Sequence, residues 1–563
     1  MKRILQYAAA IFALTMLSAC SPKLKPLSSE LFSLTPNPPE VVGKEVPYSV
    51  AVSIPAKWMH KDVSLRITPV LRYSTGEIWG SSAMLQGEAV RDNNPVIAYS
   101  TGGMRTISGS FLYDPKAAES DLYITFRASR DGKQLPLKPV KLSSGIITTA
   151  TLADIQTTPA AFAEDRFQRV VTECIDEDIK FLLESSVIRP SEKRKPELIA
   201  WKKRVEEAKA APNQSVSVEV SSYASPEGGV KLNEKLSKHR EESTTRLIEK
   251  ELGKGNTDLP IRATYTAQDW DGFRAYVEAS DLPDKELVLR VLSMYSDPEE
   301  REREIRNISV VYDRISKEIL PQLRRSRITA IIETTGKSDE ELTDLLRSNP
   351  ASLNVEELLY AISLERSEKD RVAYYQRAAQ LYPEDSRATN NLAAIAIQQG
   401  NLSEADRLLN SIKGTGAESQ VRLNRALLLI HEGRLEDAAE EVDKAEASAA
   451  KQEVLGLLQL KQGKHNEAAS TLKESHSTTA AIAQIMTHNY ARAIDLLDNA
   501  VPATALTHYL KAVCYARQNS AAQAATALSE AILLNPSLRS KARSDAEFRN
   551  IRNSQAIARL LGR

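Results

Sequence analysis

The chain has 563 residues, of which 42% are apolar and 26% charged, the balance of a folded polypeptide rather than a disordered one. At roughly 150 residues per domain, that length makes room for three or four domains. Lysine plus arginine and aspartate plus glutamate both number 74, so no net field draws the chain to nucleic acid, and no nucleic-acid partner is expected.

Lys2 and Arg3 precede the apolar run Ala8 to Leu17, which is too short to span a bilayer and has the pattern of a signal-peptide core. Leu17-Ser18-Ala19-Cys20 resembles the box of bacterial lipoproteins, in which small residues precede a cysteine that is acylated and becomes the first residue. The resemblance implies a signal peptide at 1–19 and a palmitate-type anchor on Cys20. Each acyl CH₂ buried in lipid contributes about 0.8 kcal/mol, so several chains hold firmly. Ser21 in the next position, followed by Lys23 and Lys25, implies by the same resemblance the outer membrane, facing the periplasm. Residues 20–45, with Pro22, Pro26, Pro36, Pro38 and Pro39, are expected to form a tether. The other cysteines, Cys174 and Cys514, stand in different expected domains and are expected to be buried, inert thiols.

Residues 46–152 carry strand patterns. Tyr48 to Val52, Val63 to Ile67, Met104 to Ile107 and Leu122 to Phe126 alternate or are β-rich, with turn signals at Ser74-Thr75-Gly76, Asp92-Asn93-Asn94-Pro95 and Asp131-Gly132-Lys133. This spacing predicts an immunoglobulin-like β-sandwich. Trp58 and Trp79 are candidate binding aromatics, with core or edge packing the stronger alternative.

Residues 158–335 hold a strand–turn–helix unit at their centre. Val216, Val218 and Val220 alternate with polar residues, Ser225-Pro226-Glu227-Gly228-Gly229 turns the chain, and a helix follows with Leu232, Leu236, Leu247 and Leu252 near one face, stopped at Gly253. The run Leu232-Asn233-Glu234-Lys235-Leu236-Ser237-Lys238-His239-Arg240 resembles the N-x-x-L-S-x-x-R motif of the OmpA C-terminal, peptidoglycan-binding family. The resemblance implies a βαβαβ domain whose arginine, here Arg240, and an aspartate of the preceding turn grip the two charged ends of a wall diaminopimelate. Ser225 stands where the aspartate is expected, so the acidic half of that clamp is missing. Asn233 and Ser225 join Arg240 in the implied ligand site. Arg325, in the basic run Leu323 to Arg327, resembles the family's arginine before the final strand, although a neighbouring arginine could fill that place. Two roles stay open for Arg240: gripping a carboxylate with two parallel hydrogen bonds, or snorkelling from the sheet edge. The strands are placed at Asp178 to Leu183, Val216 to Ser221, Ile261 to Thr266 and Arg327 to Ile332. A helical insertion spans 269–322, with a helix start at Ser296-Asp297-Pro298-Glu299-Glu300 and i,i+4 pairs Glu299–Arg303 and Glu302–Arg306.

Residues 340–563 are helical and repetitive. Joints at Gln399-Gly400-Asn401, Glu432-Gly433-Arg434, Gln462-Gly463-Lys464, Thr487-His488-Asn489 and Gln518-Asn519-Ser520 each precede an alanine five positions past the joint's middle residue, at Ala405, Ala438, Ala468, Ala493 and Ala524. The period resembles that of tetratricopeptide repeats, with Pro383 and Pro536 at the family's helix-ending place. Such arrays stack into a solenoid with a concave groove. Asn391 and Asn424 either line that groove and hold a peptide backbone, or are exposed helix residues. His465, His476, His488 and His508 lie in different repeats without metal-ligand spacing.

The expected architecture is therefore multidomain α+β: a β-sandwich, a central OmpA-like βαβαβ domain and an all-α repeat solenoid. No phosphate-cradling loop, metal-ligand pair or nucleophile elbow is present, so neither catalysis nor a cofactor is expected. The expected function is a lipid-anchored envelope scaffold that touches peptidoglycan or an anionic ligand and recruits protein partners. The alternative is an adaptor of a secretion or fimbrial assembly that does not bind the wall.

Overall fold

The computed structural model describes residues 24–252 and 259–562, so Cys20, the signal peptide and the helix stop at Gly253 lie outside the described residues. Two compact units are present. One takes the described residues up to Glu164 together with those from Arg366 on, and the other is the insertion Asp165–Glu365. The sandwich and the repeats, expected as separate domains, are thus one folded body with a single chain insertion.

The strand Glu45–Ile54 buries every second residue, Val46, Tyr48, Val50, Val52 and Ile54, as a half-buried pleated ribbon must. It sits between Phe32–Thr35 and Gly103–Leu112 in a three-stranded sheet. The facing sheet runs Val140–Ser144, Asp121–Arg130, Val63–Tyr73, Ala83–Gly87, Val96–Ile97, and Val63, Leu65, Ile67, Leu122 and Ile124 from it meet the first sheet in one core. The tether expected at 20–45 is corrected from Leu24 on: Leu24, Leu27 and Leu34 are buried in that core, and the Trp58 indole N–H donates to the Lys25 carbonyl at 2.8 Å. Apolar side chains spaced through the proline-rich stretch supply the reason. Trp58 is buried, whereas Trp79 is 55% exposed.

In the inserted unit a four-stranded sheet has the order Val170–Lys180, Arg325–Thr335, Gln214–Tyr223, Ile261–Thr266; only the last pair is parallel. The helices Pro196–Ala210 and Val230–Leu252 cover one face, where Leu198, Trp201, Val205, Leu247 and Ile248 close on Val218, Val220, Ile328 and Ala330. The opposite face carries Cys174, Ile331 and Ser217 in one register row and Asp176, Thr329 and Glu219 in the next. The first strand, expected at Asp178 to Leu183, is Val170–Lys180. It is an edge strand with polar residues on both faces, so its alternation is weak, and Leu182 and Leu183 are more than half exposed beyond it. Between Trp270 and Leu323 the helical insertion has its own core of Phe273, Val277, Val288, Leu292, Ile305 and Ile315. Asp297 caps the helix Pro298–Asn307 by accepting from the Glu299 and Glu300 amides, both at 2.9 Å. Arg306 pairs with Glu302 at 2.5 Å, while Arg303 lies against Glu304. The hairpin of Asp339–Ser348 and Val355–Leu364 belongs to this unit rather than to the repeats that follow.

The repeats of the first unit are helix hairpins from Arg387–Gln398 with Leu402–Ser411 to Ala505–Arg517 with Ala521–Leu534. At each joint one residue has positive φ: Gly400, Gly433, Gly463, His488 and Asn519. This is the left-handed turn that ends a helix and lets the chain reverse. Five residues on, Ala405, Ala438, Ala468, Ala493 and Ala524 are all fully buried, because only a methyl fits where the two helices meet. Gly456 has the same logic: a Cβ there would lie 2.4 Å from the Leu472 side chain. Gly456→Ala is expected to destabilise the first unit by about 1–3 kcal/mol through overpacking, read as a lower urea midpoint with unchanged slope.

Candidate functional site

Asn391, Asn424 and Thr479 stand at one place in their repeats, nine residues before Gly400, Gly433 and His488, and all three are buried. What covers them is a segment from far upstream in the same chain, residues 153–164, which has no regular secondary structure. The Asn391 amide accepts from the Ala163 N–H at 2.7 Å and donates to the Ala163 carbonyl at 2.9 Å. Asn424 does the same to Ala161, at 2.8 Å in both directions. Asn390 donates to the Ala161 carbonyl at 2.9 Å and accepts from Asn424 at 3.0 Å, so the three amides form one network. Further along, Thr479 meets the hydroxyls of Thr157 and Thr158, each at 2.7 Å. Gln156 donates to the Ile397 carbonyl at 2.8 Å. Just before the segment, Thr149 in the short helix Thr149–Leu152 donates to Glu547, which places the approach to the segment by the last repeats and its end, at Ala163, by the first.

An asparagine suits this task because its amide offers an acceptor and a donor side by side, matching the N–H and C=O of one extended residue. The pattern reads backbone and is indifferent to sequence. The side chains that pack on the repeat core are mostly small: Ala153, Ala160, Ala161 and Ala163 are buried there with Ile155, and Phe162 is partly buried beside them. At about 0.8 kcal/mol per buried CH₂ and roughly 0.5–1.5 kcal/mol net per hydrogen bond, the hydrogen bonds hold the segment as strongly as the apolar contacts do. The segment 153–164 carries no helix or strand pattern of its own, so the two asparagines are its only cue in the sequence.

The second candidate lies in the inserted unit, in a cleft of about 220 Å³ lined by Ser225, Glu227, Asn233, Arg240, Arg306 and Arg324 among others. Arg240 is 1% exposed. Its Nε donates to the Ser185 carbonyl at 3.0 Å, Nη1 to Tyr223 at 2.9 Å and Nη2 to Leu182 at 3.3 Å, with the Phe181 ring beneath it. Burial, with Arg324 adding like charge, pulls its pKa down to about 10, so it stays cationic at neutral pH. Of the two roles left open, neither describes this geometry: the guanidinium is an internal staple for three backbone carbonyls. Asn233 is a staple too, donating to the Ser225, Glu227 and Gly228 carbonyls at 3.0–3.2 Å. Ser225 donates to Glu227 at 2.8 Å. Glu227 is the acid of this cleft, two residues past the serine, and Arg324 grips it at 2.5 Å. Arg325 is not in the cleft; it pairs with Asp269 at 3.0 Å between the rings of Tyr223 and Tyr276. The arginine place near the last strand is therefore filled, within the cleft, by Arg324. Arg324 is the neighbouring arginine that the basic run left open, whereas Glu227 and Glu302 were not expected in the site; the Glu302 carboxylate accepts from the Gly228 amide at 3.0 Å. The signal for Glu227 was its place in a Pro-Glu-Gly-Gly turn.

The two described cysteines differ. Cys514 is buried, and burial pushes its thiol up to about 12. Cys174, expected to be buried, is exposed on the uncovered sheet face. A thiol reagent is expected to modify Cys174 and to leave Cys514 untouched until the chain unfolds, which peptide mapping will read. Among the described residues no group of three or more His, Cys, Asp or Glu could hold a metal ion, and no helix is long and apolar enough to cross a membrane.

A tetratricopeptide-repeat family model matches residues 372–417, and a second matches residues 419–444. Among solved structures the chain is similar to a tetratricopeptide repeat protein from Parabacteroides merdae, at 18% identity over 45% of this chain and 98% of that one, with a TM-score of 0.27. It is also similar to the Cut9–Hcn1 hetero-tetramer of APC/C, at 14% identity over 51% and 57% with a TM-score of 0.29, and to yeast Tom70, at 11% identity over 60% and 78% with a TM-score of 0.26. No curated protein matches it. The C-terminal helical region thus carries tetratricopeptide repeats, an architecture that points to protein–protein interaction.

Proposed function

We propose that the chain is a lipid-anchored adaptor of the bacterial outer envelope that grips extended polypeptide in its repeat groove. The observation that carries this reading is the pair of asparagine amides, each holding both polar groups of one backbone residue. That device recognises main chain and so serves a scaffold better than an enzyme. Cross-linking in intact envelopes, followed by mass spectrometry, is the test. Foreign polypeptides joined to residues 366–563 are expected, and recovery of self-links alone would remove the adaptor role. Palmitate labelling that disappears in Cys20→Ser is expected for the anchor; an unlabelled, freely secreted parent chain would remove it.

Wall contact is the second reading, favoured by one observation: Glu227 puts a carboxylate into the same cleft as Arg240 and Arg324. Under it the OmpA-like unit takes a wall peptide, and Glu227 supplies the acid that Ser225 cannot. Sedimentation with purified peptidoglycan separates the two readings, with Glu227→Gln as the probe because Arg240 is bound into the fold. Retention that falls several-fold in the variant supports wall contact. An absence of retention in the parent leaves the adaptor as subunit of a secretion or fimbrial assembly.

A further inference from the structure

The groove that should face a partner is already filled, and its occupant is the chain's own stretch leading directly into the inserted unit at Asp165. Three observations bear on whether this stretch is permanent. It belongs to no ladder or helix: the amides and carbonyls of Ala161 and Ala163 bond to side chains of the repeats. Four of its buried side chains are methyls, Ala153, Ala160, Ala161 and Ala163, and its larger apolar side chains are Ile155 and the partly buried Phe162, whereas the repeat helices beneath are tied by many Leu, Ile and Val. Its receptors occupy equivalent places in their repeats, so a second segment of the same chemistry would find the same contacts. Segments with few large buried side chains open at lower free energy than the core around them.

We propose that residues 153–164 are a displaceable occupant of the repeat groove, and that the external partner is an extended polypeptide stretch with small side chains where Ala161 and Ala163 stand. This rests on the adaptor reading above and adds how access to the groove is controlled. Ala161 and Ala163 are both buried in the repeat core, so a larger side chain at either place would have to push its neighbours aside. Because the resident segment is tied to the chain at both ends, its effective concentration is high, and a free competitor meets a nearly closed groove.

The test uses the full chain without its lipid and a fluorescent peptide copying residues 153–165. The parent is expected to bind it weakly. The variant Ala161→Pro with Ala163→Pro, which removes both gripped amide hydrogens from the resident segment, is expected to bind it at least tenfold more tightly, and adding Asn424→Leu should return binding to the parent level. A folded double-proline chain that binds no better than the parent overturns the proposal. Should that variant fail to fold, hydrogen exchange on the parent decides. Amides of Ala161 and Ala163 exchanging at least tenfold faster than those of Ala393 and Leu427 support displacement, and equal, globally limited exchange overturns it. Failure here, with envelope polypeptides still cross-linked to the repeats, would leave the adaptor role standing and place its docking surface outside the groove.

Discussion

Arg517→Met is expected to destabilise the first unit by about 3–5 kcal/mol, the typical loss when one partner of a buried ion pair is removed. Arg517 donates to both oxygens of Glu547, at 2.7 and 2.8 Å, and to Glu40 at 2.7 Å. The Glu547 side chain is only 1% exposed and that of Arg517 9%. Burial pulls the guanidinium pKa down, but the hydrogen bonds and charges of Glu547 and Glu40 outweigh it and hold the value above its ordinary one. Methionine fills the volume and leaves Glu547 desolvated with Thr149 as its remaining donor partner. The double variant Arg517→Met with Glu547→Leu should recover much of the loss, since an apolar pair of similar volume is often as stable as the ions it replaces. Urea unfolding followed by the fluorescence of Trp58 and Trp79, with Trp201 and Trp270 replaced by Phe, reads the result. A single variant within 0.5 kcal/mol of the parent would falsify the account.

Arg240→Met is expected to cost the inserted unit about 3 kcal/mol, because three carbonyls lose their donor and each buried orphan is worth roughly 1–3 kcal/mol. The upper end is avoided here, since the cleft of about 220 Å³ beside Arg240 can admit water to part of the vacated site. Trp201 and Trp270 belong to this unit, and with Trp58 and Trp79 replaced by Phe their fluorescence reports it separately from the other. Arg240→Lys should recover only part of the loss, because one ammonium cannot reproduce the fork that reaches Ser185, Tyr223 and Leu182 at once. If both variants unfold with the parent's midpoint, Arg240 is not the staple described above. The same experiment bears on function: a wall-binding assay on Arg240→Ala would confound a lost ligand contact with a loosened fold.

The repeat joints were legible because their chemistry is local. A left-handed residue at Gly400, Gly433 or Gly463 and a methyl five positions later are both dictated within one hairpin. Asn391 and Asn424 were legible as candidates for the same reason, since a polar residue recurs at a fixed place in an otherwise apolar helix. Their ligand was not. Ala161 and Ala163 lie more than 200 residues upstream in a stretch whose Thr, Pro and Ala suit a boundary between domains. Nothing in a local pattern says that such a segment is bound. The inserted unit shows the converse. The Asn233 to Arg240 motif located the helix, yet both side chains turn to backbone, because a strand end and a tight turn left carbonyls there without donors. Leu24, Leu27 and Leu34 were hidden among prolines that read as a linker, and only the three-dimensional sheet shows them as core.

The placement of Glu547 and Glu40 on one arginine, with Thr149 donating to Glu547, has a consequence for biosynthesis. The sandwich emerges early, but the helices that receive its neighbouring segment follow an interruption of about 200 residues. At roughly 5–20 residues per second that is a wait on the order of 10–40 s, during which Ala161 and its neighbours have no seat. A premature stop anywhere before residue 547 would strand the early half indefinitely, and quality control should clear such fragments even though their β-strands are intact.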